Sequence, residues 1–389
     1  MKVLFITGEF PPMQGGVGDY TREIGLALRN LGCEVEVVTS TQAGPVAGLG
    51  VYPLVERWNW GSWRILLDRI HDSQPDVVHI QYQAAAYAMH PAINFFPRWL
   101  RSTEGQRLRS VVTFHDLKVP YLFPKAGPLR RWVVNELARS SHAAITTNRE
   151  DFEYLRTVLG EPPTLIPIGS NIQPQLPPDF DRDVWRARWG IGPDDLLLCF
   201  FGFINDRKGV DTLLDALNLL TAEANGGASP HLLFIGGQTG ASDPTNVAYL
   251  AQIQAQINRL GLEQRVHWTG YVPDNEVSAS FNAADLCVLP FRDGISFLHG
   301  TLHAALVHGA AIITTRPRVS LPELVDGSKV VLVPPQDAPA LAQAIERLAT
   351  DQDRRRTLSA GARQLSEMFR WESIAASTLE LYRTTGSDR

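Results

Sequence analysis

Apolar residues along the chain gather into short runs that alternate with longer amphipathic stretches. Val3–Ile6, Val35–Val38, Asp76–Ile80, Ser110–Phe114, Ala143–Thr146 and Thr164–Pro167 read as buried strands. Between the first two, Val17 to Asn30 sets Tyr20, Ile24, Leu26 and Leu28 at helical spacing, and Leu31-Gly32 stops the helix. The pattern breaks at Pro174–Asp183 (PQLPPDFDRD), a stretch rich in proline and acid that reads as a linker. It then restarts with strands Leu196–Phe201, Leu232–Ile235, Val266–Thr269 and Val330–Val333. Helices are expected at Gly209–Leu220, Val247–Leu260, Asn275–Ala283 and Ile374–Tyr382. Such alternation predicts an α/β fold of two Rossmann-like, doubly wound lobes, 1–173 and 184–368. Two lobes of this kind, facing across a cleft at their C-terminal strand ends, suit a donor held by one and an acceptor by the other.

Cys287 to Thr315 is the most informative stretch. Cys287–Leu289 reads as a strand ended by Pro290 and Phe291, and Arg292–His299 as a loop turning at Asp293-Gly294. A short helix follows from Gly300-Thr301 to His308, built on Ala304 and Ala305, with Gly309 as its C-cap. Ala311–Thr314 is the next strand. The unpaired N–H groups at the start of such a helix suit a phosphate. The other reading is a tightly packed βαβ unit with no ligand.

Composition narrows the class. An apolar share of 44% supplies full cores, and 20% charged residues argue against disorder. Net charge −5 gives no reason to expect nucleic acid as a partner. Cys33, Cys199 and Cys287 all lie in or beside apolar runs, as free thiols in a reducing compartment do. No CxxC pair or Cys/His cluster suggests a metal. The N-terminus begins directly with a strand and no window spans a membrane, so a cytoplasmic protein is expected.

Several residues could carry chemistry. Gly15-Gly16-Val17-Gly18, at the first β–α turn, lets backbone N–H groups approach a phosphate or sugar; the alternative is an ordinary glycine-rich turn. Gly202–Gly209 (GFINDRKG) is the equivalent turn of the second lobe. There Lys208 would reach over a helix start toward an anion, with Arg207 as a second cation. A solvated basic pair is the alternative, although a cation is locally unfavourable at the positive end of a helix. Gly236 and Gly237, opening the GGQTG run through Gly240, give backbone access on the same rim. His115 ends VVTFHD and can bond a substrate hydroxyl or move a proton, or be a satisfied structural histidine. Asp285 and Glu323 are read as structural, the latter at a helix start. Two segments mix aromatic and basic residues: Pro97–Arg101 with Arg107 and Arg109, and Pro128–Trp132. These suit anionic lipid headgroups, or form the solvated face of a helix.

With these features the chain resembles the glycosyltransferases of family 4, of GT-B fold, over almost its whole length. The resemblance rests on FITGEFPPMQGGVGDYTREIGLALRNLG, PDVVHIQ, VVTFHD, LIPIGSNI, FFGFINDRKGVDTLLDAL, LLFIGG, HWTGYVPDNEVSASFNAADLCVLPF, HAALVHGAAIITT and LPELVDGSKVVLVPPQD. FRWESIAASTLELYR resembles the family's last helix, which implies that 369–389 crosses back to the first lobe. The resemblance implies a retaining, metal-independent transferase that takes a nucleotide-diphosphate sugar as donor, with no resident cofactor. It implies that Lys208 holds the diphosphate, that Gly15 and Gly16 border diphosphate and sugar, that His115 lies by the transferred sugar, and that Tyr271 and Val272 lie near the base. The acceptor is expected to be a glycan, a lipid-linked sugar or a small molecule, with peripheral contact at the inner face of the membrane.

The chain departs from the family in three places. Phe203 stands where the family has arginine, and Ser296 and Ala304 stand where it has paired glutamates. Backbone N–H groups at His299, Gly300 and Thr301 and the Thr301 hydroxyl are expected to hold phosphate instead, and Asp293 to replace one carboxylate. The alternative is a non-catalytic nucleotide-sugar or carbohydrate-binding protein on the same fold, with an epimerase or phosphorylase as a third reading.

Overall fold

The computed structural model describes every residue except 14, 106–107, 118–126, 171, 224–229, 238–243 and 386–389. The chain divides into two compact units. One is Met1–Gly169 with Met368–Arg389, and the other is Ser170–Glu367.

In the first unit the elements run β1 (Lys2–Thr7), α1 (Gly16–Asn30), β2 (Glu34–Ser40), β3 (Gly50–Val55), α2 (Ser62–Ser73), β4 (Val77–Tyr82), α3 (Ala92–Glu104), β5 (Arg109–Phe114), α4 (Gly127–Ser140), β6 (Ala143–Thr146), α5 (Arg149–Val158) and β7 (Thr164–Leu165). The strands form one seven-stranded sheet in the order β3-β2-β1-β4-β5-β6-β7, with every pairing parallel. The central strands β1 and β4 are buried almost throughout; β1 is continuously apolar over Val3–Ile6, whereas β4 buries His79 and Gln81 among its apolar residues. The apolar pattern does not announce β3, which carries Pro53 and exposes Leu54. It is an edge strand, where a residue without an N–H leaves no partner unsatisfied.

The second unit runs α6 (Arg182–Ala187), β8 (Leu196–Phe201), α7 (Val210–Glu223), β9 (Pro230–Ile235), α8 (Pro244–Leu260), β10 (Val266–Trp268), α9 (Asp274–Ala283), β11 (Leu286–Leu289), α10 (Gly300–Val307), β12 (Ile312–Thr315), β13 (Val331–Val333), α11 (Ala338–Thr350) and α12 (Gln352–Ser366). Its six-stranded parallel sheet has the order β10-β9-β8-β11-β12-β13. Asp285 is structural, as expected: its carboxylate accepts from the Leu197 N–H and pairs with Arg182 and with the fully buried Arg186. Glu323 departs from expectation. It lies in a turn closed by the Leu324 N–H donating to the Leu321 carbonyl, not at a helix start. No helical run follows Glu323, because the chain goes straight into the next turn, where the Gly327 N–H donates to the Val330 carbonyl at 2.8 Å.

The last helix, α13 (Trp371–Thr384), belongs to the first unit. Its buried face (Ile374, Ala375, Leu379, Tyr382) packs with Val3, Phe5, Ile24 and Val37. Tyr382 Oη and His79 Nδ1 share a buried hydrogen bond of 2.5 Å, and Arg109 donates to the Tyr382 carbonyl at 2.6 Å.

Candidate functional site

In a doubly wound sheet, the loops leaving two neighbouring strands whose helices cross to opposite faces part at the C-terminal edge and open a crevice. In the second unit that point lies between β8 and β11. The loop after β8 carries Gly202–Lys208, and the loop after β11 leads into α10. They are tied together. The Arg292 N–H donates to the Arg207 carbonyl at 2.8 Å, and the Arg292 guanidinium pairs with Asp211 at 2.6 Å and Asp206 at 3.3 Å. Gly209, at φ +64°, lies so close to the Pro290 carbonyl that a Cβ would stand 2.1 Å from its oxygen. Only glycine admits this approach.

This clamp brings a cation and, through the Thr301 methyl, a helix N-terminus to Gly202. Gly202 has φ +99°, and a Cβ there would stand 2.8 Å from Lys208 Nζ and 2.8 Å from Thr301 Cγ2. Burial lowers the Lys208 pKa from 10.5 to about 8. Among the described residues no carboxylate pairs with it, because the neighbouring Asp206 and Asp211 are held by Arg292. Thr301 Oγ1 is buried without a hydrogen-bond partner. At the start of α10 the His299 N–H donates to the Ser296 carbonyl at 3.0 Å and the Leu302 N–H to the His299 carbonyl at 2.9 Å. This leaves the Gly300 and Thr301 N–H groups without an acceptor among the described residues, and His299 at the N-cap gives no side-chain cap. A positive charge, an orphan hydroxyl and open amides around a missing side chain fit an oxyanion such as phosphate.

His299 is part of this frame. Its ring stacks on Phe291, centroids 3.8 Å apart, and its Nδ1 accepts from the Ser296 N–H at 3.2 Å. Burial lowers its pKa to about 4 against the opposing pull of Asp293, with Lys208 and Arg207 adding to the fall, so Nε2 bears the proton of a neutral ring. Ser296 Oγ accepts from the Leu298 N–H and so serves its own turn. Ala304 is buried inside α10, whereas Asp293 and Arg207 are exposed.

The neighbouring rim is formed by the end of β9. Gly236, at φ +103°, donates its N–H to Thr269 Oγ1 at 3.0 Å and bridges Gly270. The Phe203 ring lies against Gly237, where a Cβ would be 2.8 Å from its Cε1, yet Phe203 remains 48% exposed. Tyr271 follows Gly270 and is 90% exposed, and Val272 is half-buried. The continuation of the glycine run, Gln238 to Gly240, lies outside the described residues.

In the first unit the corresponding point lies between β1 and β4. Here the helix N-terminus already has an anion. Glu9 Oε1 accepts from the N–H groups of Val17 at 3.0 Å and Gly18 at 3.4 Å, and a Cβ on Gly15 would collide with the carboxylate at 2.1–2.4 Å. A side chain at Gly15 would thus have to displace the Glu9 carboxylate, while Gly16 faces open space. His115 follows β5, and its Nε2–H donates to Gln81 Oε1 at 2.8 Å. Its ring meets Tyr20 edge-on at 4.6 Å, and Tyr20 meets Trp371 at 5.3 Å. Desolvation lowers its pKa to about 3 and leaves Nδ1 as the lone-pair nitrogen of a neutral ring.

The structure brings Lys208, Gly202 and Thr301 together with Gly300 beside them, but the His299 N–H expected to hold phosphate donates instead to the Ser296 carbonyl at 3.0 Å, because the loop turns back on itself just before the helix. Sequence reading missed Glu9, Gln81 and Tyr20. An acidic residue just ahead of a glycine-rich helix start was the available signal for Glu9; nothing local pointed to the other two. Of the aromatic–basic segments, Arg107 lies outside the described residues, and the remaining residues fall on α3, α4 and the start of β5.

Comparison with known proteins gives one direction. Residues 15–169 match the family described as "Glycosyl transferase 4-like domain", and residues 195–351 match "Glycosyl transferases group 1". A D-inositol 3-phosphate glycosyltransferase from Xylanimonas cellulosilytica is 27% identical, covering 95% of this chain and 91% of that protein. A GDP-mannose-dependent alpha-(1-6)-phosphatidylinositol monomannoside mannosyltransferase from Mycobacterium tuberculosis is 24% identical over 98% of both. Among solved structures, HepE from Anabaena is 18% identical. Its complex with UDP superposes at TM-score 0.74 over 99% of this chain and 100% of that one, and its complex with UDP-glucose at 0.65 over 98% and 100%.

Proposed function

Because the chain belongs to glycosyltransferase family 4, we propose that it moves a sugar, with retention at the anomeric carbon, from a nucleotide-diphosphate sugar to a hydroxyl of an inositol phosphate, free or in a phospholipid. The observation that carries the donor is the point shared by Lys208 Nζ, Thr301 and the start of α10 around Gly202. The acceptor class is taken from the two relatives, which match along nearly their whole length. In this reading the chain's own groups do the chemistry, with no resident cofactor. As the glycosidic bond breaks, charge grows on the leaving diphosphate. The Lys208 ammonium, the Thr301 hydroxyl and the α10 amides are already fixed to receive it, so little reorganisation is needed. Gly236, with nothing nearer than 3.8 Å to a Cβ position, leaves room for the donor's approach. Phe203 and Tyr271 offer exposed rings, the latter with Val272 beside the base. Within the first unit, His115 Nδ1 offers a lone pair to a sugar hydroxyl, with Gln81 fixing the tautomer.

The test is a panel of nucleotide-sugars offered to wild type and Lys208→Ala. Binding is followed by calorimetry, nucleotide release by coupled assay, and product configuration by NMR. One donor that binds, is consumed in the presence of an inositol phosphate, gives a retained anomer and loses affinity in the variant supports the reading. An inverted product removes retention. A donor whose binding ignores Lys208→Ala removes the diphosphate site.

A further inference from the structure

A strip of aromatic rings crosses the first unit away from the residues discussed so far. Trp132 on α4 lies 5.8 Å from Phe95 on α3, and Phe95 lies 6.0 Å from Trp60 in the turn before α2. Trp60 lies 5.1 Å from Trp63 on α2, and Trp63 stacks at 4.9 Å on Trp99 of α3. Four stretches of chain thus give their rings to one another, with Trp63 and Trp99 also resting on the core through Phe96 and Trp60 and Trp132 left outermost. Trp60 stays 50% exposed, Trp132 48%, and Leu129, one turn before Trp132 on α4, 64%. Large apolar side chains left in water as a group mark a surface that meets something.

The charges around the strip say what it meets. Arg64 and Arg98 are 91% and 71% exposed, and Arg131 is exposed with no ion pair among the described residues. The nearby acids are Asp68, 4.0 Å from Arg64, and Glu136, 3.0 Å from Arg98 and mostly buried. The whole chain carries net charge −5, so an anionic partner must be met by a local basic patch. The rings turn through several planes, 84° between Trp60 and Trp63 and 51° between Phe95 and Trp132 against 33° for Trp60–Phe95 and 25° for Trp63–Trp99, so the strip as a whole is not flat. That is unlike the flat platform a sugar ring stacks on, and a neutral glycan would have no use for the arginines. Tryptophan edges beside arginines suit the headgroup layer of a bilayer, where an amphipathic ring has an apolar body and a polar tip.

We propose that this face, formed by the Trp60 turn, α2, α3 and α4, docks the protein onto a membrane rich in acidic phospholipid. Trp60, Trp132 and Leu129 enter the headgroup boundary, and Arg64, Arg98 and Arg131 meet the lipid phosphates. No helix among the described residues is long and apolar enough to cross a membrane, so contact is made from the surface. The proposal needs no sugar donor and stands independently of the proposed reaction.

The experiment is co-sedimentation of the full chain with vesicles of phosphatidylcholine, pure or mixed equally with phosphatidylglycerol, without donor. Lipids with brominated chains then report quenching of tryptophan emission. The expected result is binding to the acidic vesicles only, weakened by salt, with quenched emission. Arg64→Glu with Arg131→Glu should lower binding by at least about fivefold per site. Trp60→Ser with Trp132→Ser should abolish the quenching, while circular dichroism and nucleotide-sugar binding stay as in wild type. Equal binding to both vesicle types, no binding, or binding untouched by either pair of substitutions would overturn the proposal. So would a tryptophan pair that loses affinity for a soluble polysaccharide but not for vesicles, which would make the strip a glycan surface.

Discussion

Replacing Lys208 by methionine keeps the stem and removes the charge, and the structure gives two opposite consequences. In the free protein, burial has lowered the lysine pKa from 10.5 to about 8 with no carboxylate to offset it. That fall corresponds to roughly 3 kcal/mol against the charged form, or about 1–3 kcal/mol once partial exposure is allowed for. Between pH 8 and 10.5 the unfolded lysine holds a proton that the folded one has lost, so stability rises with pH there. Below pH 8 both are protonated and the whole penalty is present. Lys208→Met should therefore raise the stability of the free protein at pH 7. The bound diphosphate reverses the balance, because it restores the ammonium. Losing that charge-assisted contact costs on the order of 1.5–3 kcal/mol, or about 10–150-fold in Kd. In wild type the affinity should also fall about tenfold from pH 7 to pH 9, with uptake of close to one proton per donor bound at pH 9. Titration calorimetry in buffers of different ionisation enthalpy reads both quantities, and urea denaturation reads the stability. A wild-type affinity flat from pH 7 to 9 without proton uptake, or a methionine variant that is no more stable than wild type, would refute the reasoning.

Other substitutions probe the frame. Gly209→Ala forces a left-handed residue and drives a Cβ onto the Pro290 carbonyl, so urea denaturation should show a loss of more than about 2 kcal/mol. Phe203→Arg adds a second cation beside the anion site and should tighten binding of a nucleotide-sugar several-fold at low salt, an effect that disappears at high salt. An unchanged affinity would place the diphosphate elsewhere. Tyr382→Phe strips His79 Nδ1 of its buried partner and should cost about 1–3 kcal/mol in the same denaturation assay. His79 and His115 are both held neutral by burial, each with a pKa near 3 against the ordinary 6.5. The unfolded state therefore binds more protons between pH 3 and 6.5, and stability falls as pH drops below 6.5, by about 1.4 kcal/mol per pH unit for each histidine. His115→Asn should remove one of these two contributions, and a slope unchanged in the variant would show that His115 is not buried neutral.

Much of the fold was written in the order of apolar runs. Strands buried on both faces of a parallel sheet must be continuously apolar, and they alternate with helices because parallel neighbours need a crossover. Two sheets, a break near Pro174 and a short helix from Gly300 follow from that alone. Local chemistry went further where one residue suffices: Gly309 at φ +63° and Gly294 at φ +85° sit where a helix end and a turn need a left-handed residue. The family was legible from its motifs.

What the sequence left open depends on contacts far apart along the chain. Nothing near Lys208 says that Arg292 will occupy its neighbouring aspartates and leave it unpaired and desolvated. The sequence offers Gly15 as a phosphate loop, while packing gives that helix start to Glu9. His115 could be a charged acid or a neutral acceptor by residue type, and burial beside Gln81 and Tyr20 makes it neutral. The aromatic segments at 97–101 and 128–132 become one surface only because α3 and α4 pack side by side, with Phe95 against Trp132 and Arg98 on Glu136, and Trp60 and Trp63 extend it. Strand and helix patterns are set by neighbours a few residues away, whereas charge state, desolvation and surface continuity are set by whatever the tertiary fold brings alongside.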